Sequence, residues 1–469
     1  SPASDSRQSH LASLRQLGRL RRPVGAGCRS TRAHHLDQAW LDAGGTTAAA
    51  WLGLPSATAH QRSPRRAPRR RYLAFFATPP VGWDHGYHSL EPYPANFHRE
   101  MAPNWLDFAA LVKGLAPPRP REGAPFRYLE LGCGMGFGLC LLAALYPEGR
   151  FTGVDFQPDH IAHSRHLAEL LGLENLRFLE ADFLELQADP SPLGFQAGEG
   201  GPFHYVAAHG IATWVVEPVQ RALLALASAS LLPGGLFYCS YNTLPAWLPL
   251  TAYHQLVQLE LERGDPALPA QALERSAATL RALLGTPEQP MPLAALFPLL
   301  AKDMEELRLD NPNYLLGEYA NVGWQPLYVA ELHRRAAEHK LRHGATATLP
   351  ELFEELAPQP LRSQLQAEPN PTVRETMIDL ACARGFRRDL FVRGAVRLSG
   401  HAWRRRLAGL RLRLLEAPPR DDWTFTTSYG DLNVPAPICG GLEAALQGGS
   451  RSIADLAQAI GQPPVEVIR

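Results

Sequence analysis

Five short apolar runs alternate with helical patterns between residues 127 and 241, and that alternation limits the chain to one kind of sheet. The runs are Arg127–Leu131, Phe151–Asp155, Leu176–Glu180, His204–Ala208 and Leu236–Tyr241. Between them lie "LCLLAALYP", "DHIAHSRHLAELLG" and, after the fourth run, "VQRALLALASASLLPGG". Strands and helices alternating at this spacing predict a parallel, doubly wound α/β sheet with helices on both faces. Ligands of such sheets collect at the carboxyl ends of the strands. The first strand-to-helix turn is therefore where chemistry is expected.

That turn reads "LELGCGMGFG", with Glu130 near the strand end and Gly132, Gly134, Gly136 and Gly138 at alternate positions. A dinucleotide fingerprint, G-x-G-x-x-G, needs a third glycine where Phe137 or Leu139 stands, so it fails in both registers. No Lys follows the glycines, which excludes the G-x-x-x-x-G-K-[ST] phosphate loop. Glu130 would also face any pyrophosphate bound there, and two like charges about 4 Å apart repel by roughly 4 kcal/mol at an effective dielectric near 20. S-Adenosyl-L-methionine has no phosphate and carries an ammonium and a sulfonium, so a carboxylate beside a glycine turn suits it. Asp155 closes the second strand, with Phe156 beside it, placed to accept both ribose hydroxyl protons. Asp182 in "LEADF" follows the third strand, placed for the adenine amino group, with Phe183 flanking the base. Each acid alone reads equally as a helix N-cap or a solvated carboxylate; three acids at three successive strand ends make a set. The expected cofactor-binding residues are thus Glu130, Gly132, Gly134, Gly136, Asp155, Phe156, Asp182 and Phe183.

These motifs resemble those of class I S-adenosylmethionine-dependent methyltransferases. "EPYPANFHREMAP", "AAHGIATWV", "SYNTLPAW" and "NPTVRETMIDLACARGFRRDLFVRG" extend the resemblance, from about Gly86 to about Arg393, to the bacterial branch carrying a methyltransferase regulatory domain. Some members of that branch methylate protein lysines. The resemblance implies a Rossmann-like core, S-adenosyl-L-methionine as cofactor, and an N-terminal segment around Tyr93 and Pro94 that folds over it. Two positions depart from the pattern: His204 stands where an acid is usual before the aromatic of the fourth strand, and Ala246 where Gly is frequent.

Methyl transfer is an in-line displacement, so the protein chiefly positions and desolvates the nucleophile, with no metal required. A lysine acceptor must first lose a proton, which at pH 7 costs about 4 to 5 kcal/mol. An apolar, aromatic pocket lowers that cost and can hold the methylated ammonium. His209, Tyr241 and Asn242, at the fourth and fifth strand ends, are the expected catalytic residues; His209 reads either as a proton acceptor or as backbone lining. Trp214 and Trp247 read as apolar lids. His160, His163 and His166 share a helix with no further ligand and read as a solvated face.

Composition sets the frame. At 469 residues the chain is too long for one ordinary core. Forty-six basic against forty-six acidic side chains leave no net field to attract nucleic acid. Six cysteines without a C-x-x-C pair argue against disulfide or zinc frameworks, and apolar runs too short for a bilayer complete the expectation of a cytoplasmic protein. The organisation expected is a disordered Arg-rich tail (1–80), the cofactor-binding core (81–249), and a helical insertion serving as cap or homodimer surface (250–325). A regulatory segment with the last strands (326–397) and a small, winged-helix-like, incomplete C-terminal helical domain (398–469) follow. The expected partner is a protein lysine or a small-molecule acceptor, without membrane or nucleic acid; a catalytically silent interaction protein on the same fold is the remaining alternative.

Overall fold

A computed structural model describes residues 82–87, 96–265, 268–307, 309–415 and 423–469. The expectations for the tail, residues 1–80, and for Tyr93 and Pro94 lie outside the described residues. The chain divides into two compact units, Ser1–Gly86 and Tyr87–Arg469. In the first, the described residues form a turn in which Gly86 N–H donates to the Asp84 carboxylate.

The second unit opens with helix α1 (Pro103–Val112) and then alternates: β1 (Phe126–Leu131), α2 (Phe137–Leu145), β2 (Gly149–Asp155), α3 (Pro158–Leu170), β3 (Leu176–Glu180), α4 (Phe183–Ala188), β4 (Phe203–Ala208), α5 (Glu217–Ser230) and β5 (Leu231–Asn242). An insertion follows with α6 (Thr251–Arg263), α7 (Ala270–Leu284), α8 (Pro292–Leu296), α9 (Pro298–Glu305), α10 (Pro312–Tyr319) and α11 (Val329–Glu338). Strand β6 (Leu341–Thr346), helices α12 (Gln359–Ala367) and α13 (Pro371–Cys382) and strand β7 (Phe386–Arg393) return to the sheet. Its order is β3-β2-β1-β4-β5-β7-β6, with β7 antiparallel to both neighbours and the rest parallel. The Rossmann-like, mostly parallel sheet read from the sequence is therefore the fold. Its last two strands arrive only after the insertion, so residues 326–397 complete the same sheet as the core.

Strand ends shift by one or two residues at β1, β2 and β4, and by five at the start of β5. The helix pattern running to Gly235 ends at Ser230, and β5 begins at Leu231. Leu231 pairs with Phe203, the register then shifts, and Leu236 pairs with Tyr205. The Pro233-Gly234-Gly235 signal marks an irregularity inside a strand rather than its start.

Among the described residues of 398–469 are α14 (Gly400–Gly409), two short antiparallel pairs and three further helices, with Ile453, Leu456, Ala457 and Val467 buried together. Trp403 Nε1 donates to Leu111 O of α1, which ties this segment to the sheet layer.

Because side chains alternate across a strand, β5 and β7 present different chemistry to the two layers. Tyr238 and Leu390 pack on the side of α1, α2 and α3; Phe237, Tyr241 and Phe391 pack on the side of α4, α5 and α11. On the second side Arg387 and Asp389, both wholly buried, anchor an ion network. Arg387 bonds Asp389 at 3.0 Å, Asp379 at 2.7 Å and Glu375 at 2.6 Å, while Tyr241 donates to Asp389 at 2.6 Å. His333 and His343, stacked with ring centroids 4.5 Å apart, point Nε2 at the two Asp389 oxygens from 3.5 and 3.6 Å. Burial alone would raise Asp389, but the Arg387 charge and the two imidazoles hold its carboxyl well below the ordinary range. Removing one side of such a pair leaves a buried charge unmatched. Asp389→Asn is expected to cost about 3 to 5 kcal/mol in urea melts; Arg387→Met together with Asp389→Leu is expected to cost less than Asp389→Asn alone.

Candidate cofactor and methyl-transfer site

The turn after β1 has a shape only glycine tolerates at two places. Gly132 (φ +78°) would carry a Cβ into the Ile211 side chain, and Gly136 (φ +73°), which starts α2, would carry one to 2.5 Å from Ser164 Oγ. Neighbouring strands pin the turn. Gly132 and Cys133 N–H both donate to Val154 O of β2, at 2.8 and 2.9 Å. Ser164 donates to Gly134 O, and His163 Nδ1 lies 3.0 Å from Met135 O.

Glu130, Gly132, Gly134 and Gly136 line one cleft together with His209. Asn96, Phe97, His98 and Met101, from the segment before α1, close its other side. Glu130 is 8% exposed, and its Oε2 has no hydrogen-bond partner. Its carboxyl is pushed up to about 8, by burial first and by the Asp155 charge second. A buried carboxylate with an unpartnered oxygen in the lining of a cleft is a receptor for a cation.

The other expected cofactor residues sit elsewhere. Asp155 lies beneath the turn rather than in the cleft lining: Oδ2 accepts Gly134 N–H at 2.9 Å and Oδ1 accepts Gln157 N–H at 3.0 Å. His160 Nδ1 is 3.3 Å from the same Oδ1, so His160 and His163 brace the glycine turn instead of forming a solvated face. Asp182 caps α4 by accepting Leu184 N–H at 2.6 Å, and Phe183 is buried among core residues of the α4–α5 layer. Phe156 meets Tyr87 edge-on, ring centroids 5.8 Å apart.

The three expected catalytic residues separate. His209 follows β4 at the cleft, its ring stacked on His98 at 3.6 Å and its Nδ1 2.9 Å from the Tyr238 hydroxyl. Burial, with His98 and Arg388 adding to it, pulls its pKa well below the ordinary histidine value. Tyr241 is wholly buried in the Asp389 network on the opposite side of the sheet. Asn242 donates from Nδ2 to Glu318 at 2.8 Å, and Trp214 and Trp324 donate to the same buried carboxylate. Burial raises Glu318 to about 7 despite those three donors. Trp247 donates to Gly385 O at 2.7 Å. The "SYNTLPAW" stretch and Trp214 thus fasten the insertion to the sheet; they do not line the cleft. His98 was missed at the sequence level, although "EPYPANFHREMAP" contains it, because nothing in its local pattern marks it as part of a site.

A doubly wound sheet whose first turn is built in this way, over a cation-seeking carboxylate, defines a class I methyltransferase fold. Family models agree: residues 124–262 match a methyltransferase domain and residues 311–393 a predicted methyltransferase regulatory domain. An uncharacterized protein of Synechocystis is 30% identical over 338 residues, covering 71% of this chain and 63% of that one. PKMT2 of Rickettsia typhi, solved in complex with AdoHcy, shares the fold at a TM-score of 0.59 and 20% identity, over 80% of this chain and 73% of that chain. Trans-aconitate 2-methyltransferase of Methylobacterium nodulans is 32% identical over 112 residues, 24% of this chain and 36% of that protein. One chain thus carries a match to a methyltransferase domain followed by a match to a methyltransferase regulatory domain, on a class I methyltransferase fold. It spans 63% of the Synechocystis relative and 54% of one from Rickettsia prowazekii. Among the described residues no helix is long and apolar enough to cross a membrane.

The Glu130 environment carries a stability signature. The folded protein keeps a proton on this carboxyl up to about pH 8, whereas the unfolded chain releases it near 4.5. Stability from this group is full below the lower value and is lost as pH rises through the upper one. Glu130→Gln is therefore expected to make the ligand-free protein more stable than wild type at pH 9, by about 2 kcal/mol or more, with the difference vanishing near pH 4. Urea melts at the two pH values measure this.

Proposed function

We propose that this protein transfers a methyl group from S-adenosyl-L-methionine to a protein lysine. The observation that carries the first half is the unpartnered, buried Glu130 oxygen beside a phosphate-free glycine turn. Glu130 would receive the cofactor's ammonium, and the backbone of Gly132, Gly134 and Gly136 leaves room for its close approach. Asp155 fixes the turn through Gly134. When bound, the cofactor supplies a methyl carbon activated by its sulfonium. Phe97, Met101 and Phe137 give the cleft apolar walls, which disfavour a charged acceptor amine and so lower the cost of its deprotonation.

Lysine as acceptor rests on the resemblance of the sequence to protein-lysine methyltransferases of this branch and on the fold shared with PKMT2 of Rickettsia typhi. The experiment is transfer of labelled methyl from S-adenosyl-L-methionine into fractionated lysate. Label in acid-stable form on protein lysines is expected; label confined to the small-molecule fraction would replace the lysine reading with a metabolite acceptor. Glu130→Gln and Asp155→Ala are expected to reduce transfer by about tenfold to a hundredfold, the worth of a charge-assisted hydrogen bond. Calorimetric titration with S-adenosylhomocysteine should show the same losses in affinity; wild-type protein that binds neither ligand would leave the silent interaction protein as the better reading.

A further inference from the structure

His209 has two ring nitrogens, and the surrounding hydrogen bonds decide which one carries the proton. Nδ1 lies 2.9 Å from the Tyr238 hydroxyl. Tyr238 is 0% exposed, and the nearby Ser240 Oγ accepts Gly210 N–H at 2.9 Å. Ser240, Tyr238 and Gly210 lie in the buried interior at the ends of β4 and β5. A buried hydroxyl donates its one proton wherever an acceptor is in reach. The acceptor that the structure places within reach of the Tyr238 hydroxyl is His209 Nδ1, so the Tyr238 proton goes there. The reverse direction would start from an Nδ1–H and leave the Tyr238 proton without an acceptor inside the core. Tyr238 therefore donates to His209 Nδ1, and His209 carries its proton on Nε2.

A neutral imidazole protonated on Nε2 and already accepting at Nδ1 is a donor to whatever enters the cleft. It cannot also serve as the base for an acceptor amine. The Nε2 atom has no hydrogen-bond partner among the described residues, and the residue lines the same cleft as the unpartnered Glu130 oxygen. The cleft thus offers one carboxyl that ionises when a cation lies beside it, and one N–H donor. An α-amino acid zwitterion has the matching pair of groups. His98, stacked on His209 from the segment before α1, holds the ring in place and adds no negative charge. Of the charges acting on His209, both His98 and Arg388 favour an anion beside it.

Resting on the cofactor reading above, we propose that His209 is the donor for the carboxylate of the cofactor's amino-acid tail, with Tyr238 as the positioning residue that fixes its tautomer. Glu130 takes the ammonium and His209 the carboxylate, so the two residues together select a ligand bearing an intact amino acid.

Calorimetry on the full chain with three ligands tests this: S-adenosylhomocysteine, its decarboxylated analogue 5′-(3-aminopropylthio)adenosine, and 5′-methylthioadenosine. Wild type is expected to prefer S-adenosylhomocysteine over the decarboxylated analogue by about tenfold or more, the worth of one hydrogen bond to a charged group. His209→Phe, which keeps a ring against His98, is expected to bring those two ligands to within about threefold while leaving the decarboxylated analogue's affinity unchanged. Glu130→Gln should weaken both tail-bearing ligands alike and spare 5′-methylthioadenosine. In ¹⁵N spectra, wild-type His209 is expected to show Nε2 protonated, and Tyr238→Phe to mix the tautomers, a change that loss of packing would not produce. Equal wild-type affinity for the two tail-bearing ligands, discrimination that survives His209→Phe, or an Nδ1-protonated ring would overturn the inference while leaving the methyltransferase reading intact. If wild type binds none of the three, the cofactor reading itself fails and this inference with it.

Discussion

A carboxylate held in the protein interior with one oxygen unsatisfied is unstable by its own chemistry, and the architecture around Glu130 exists to hold it there. Desolvation and the neighbouring Asp155 both oppose its ionisation. Its position is nevertheless fixed, because β1 is buried along almost its whole length between two parallel neighbours. The strand cannot rotate Glu130 toward solvent without expelling Leu129 and Leu131 from the core. The left-handed turn that follows is fixed as firmly, by Val154 O, by Asp155 and by the α3 side chains of His163 and Ser164. Ligand recognition here depends on preventing a polar group from finding a partner within the protein.

Strand alternation then separates two jobs that adjoining residues of β5 perform. Tyr238 faces the layer that contains the glycine turn and reaches His209; Tyr241 faces the other layer and reaches Asp389. Both hydroxyls are buried, and both have pKa values raised by burial. One belongs to the cleft and the other to the ion network that binds β7, α11 and α13 to the sheet. A one-residue slip of β5 would exchange these roles, so the antiparallel register with β7 also determines the chemistry of the site.

Much of the sheet could be read from the sequence because each parallel strand is a short apolar run bounded by turn residues, and the Gly-rich turn broke both nucleotide fingerprints in a readable way. The start of β5 escaped that reading because Pro233, Gly234 and Gly235 look like punctuation, while the pairing of Leu231 with Phe203 is a long-range contact with no local mark. Glu130 and the glycines were legible as a site because strand-end position alone brings them together. Tyr241 and Asn242 were not separable from Tyr238 on strand-end position, since which face each one meets depends on what packs there. His98 enters the cleft only when the segment before α1 folds back over it, and His333, His343 and Asp389 meet only after the insertion has been crossed.

Asn242 shows why a narrow sequence motif can mislead about chemistry. Its amide, with the indoles of Trp214 and Trp324, surrounds Glu318 of the insertion, and Trp247 donates to the backbone just before β7. Each of these contacts requires a particular donor at a particular place, so few residue types can stand there. The same restriction would arise at a catalytic centre. What distinguishes the two is satisfaction: Glu318 is surrounded by three donors and closed to any visitor, whereas Glu130 keeps an oxygen in reserve. In this fold the completed polar cluster joins the insertion to the sheet, and the incomplete one marks where a ligand belongs.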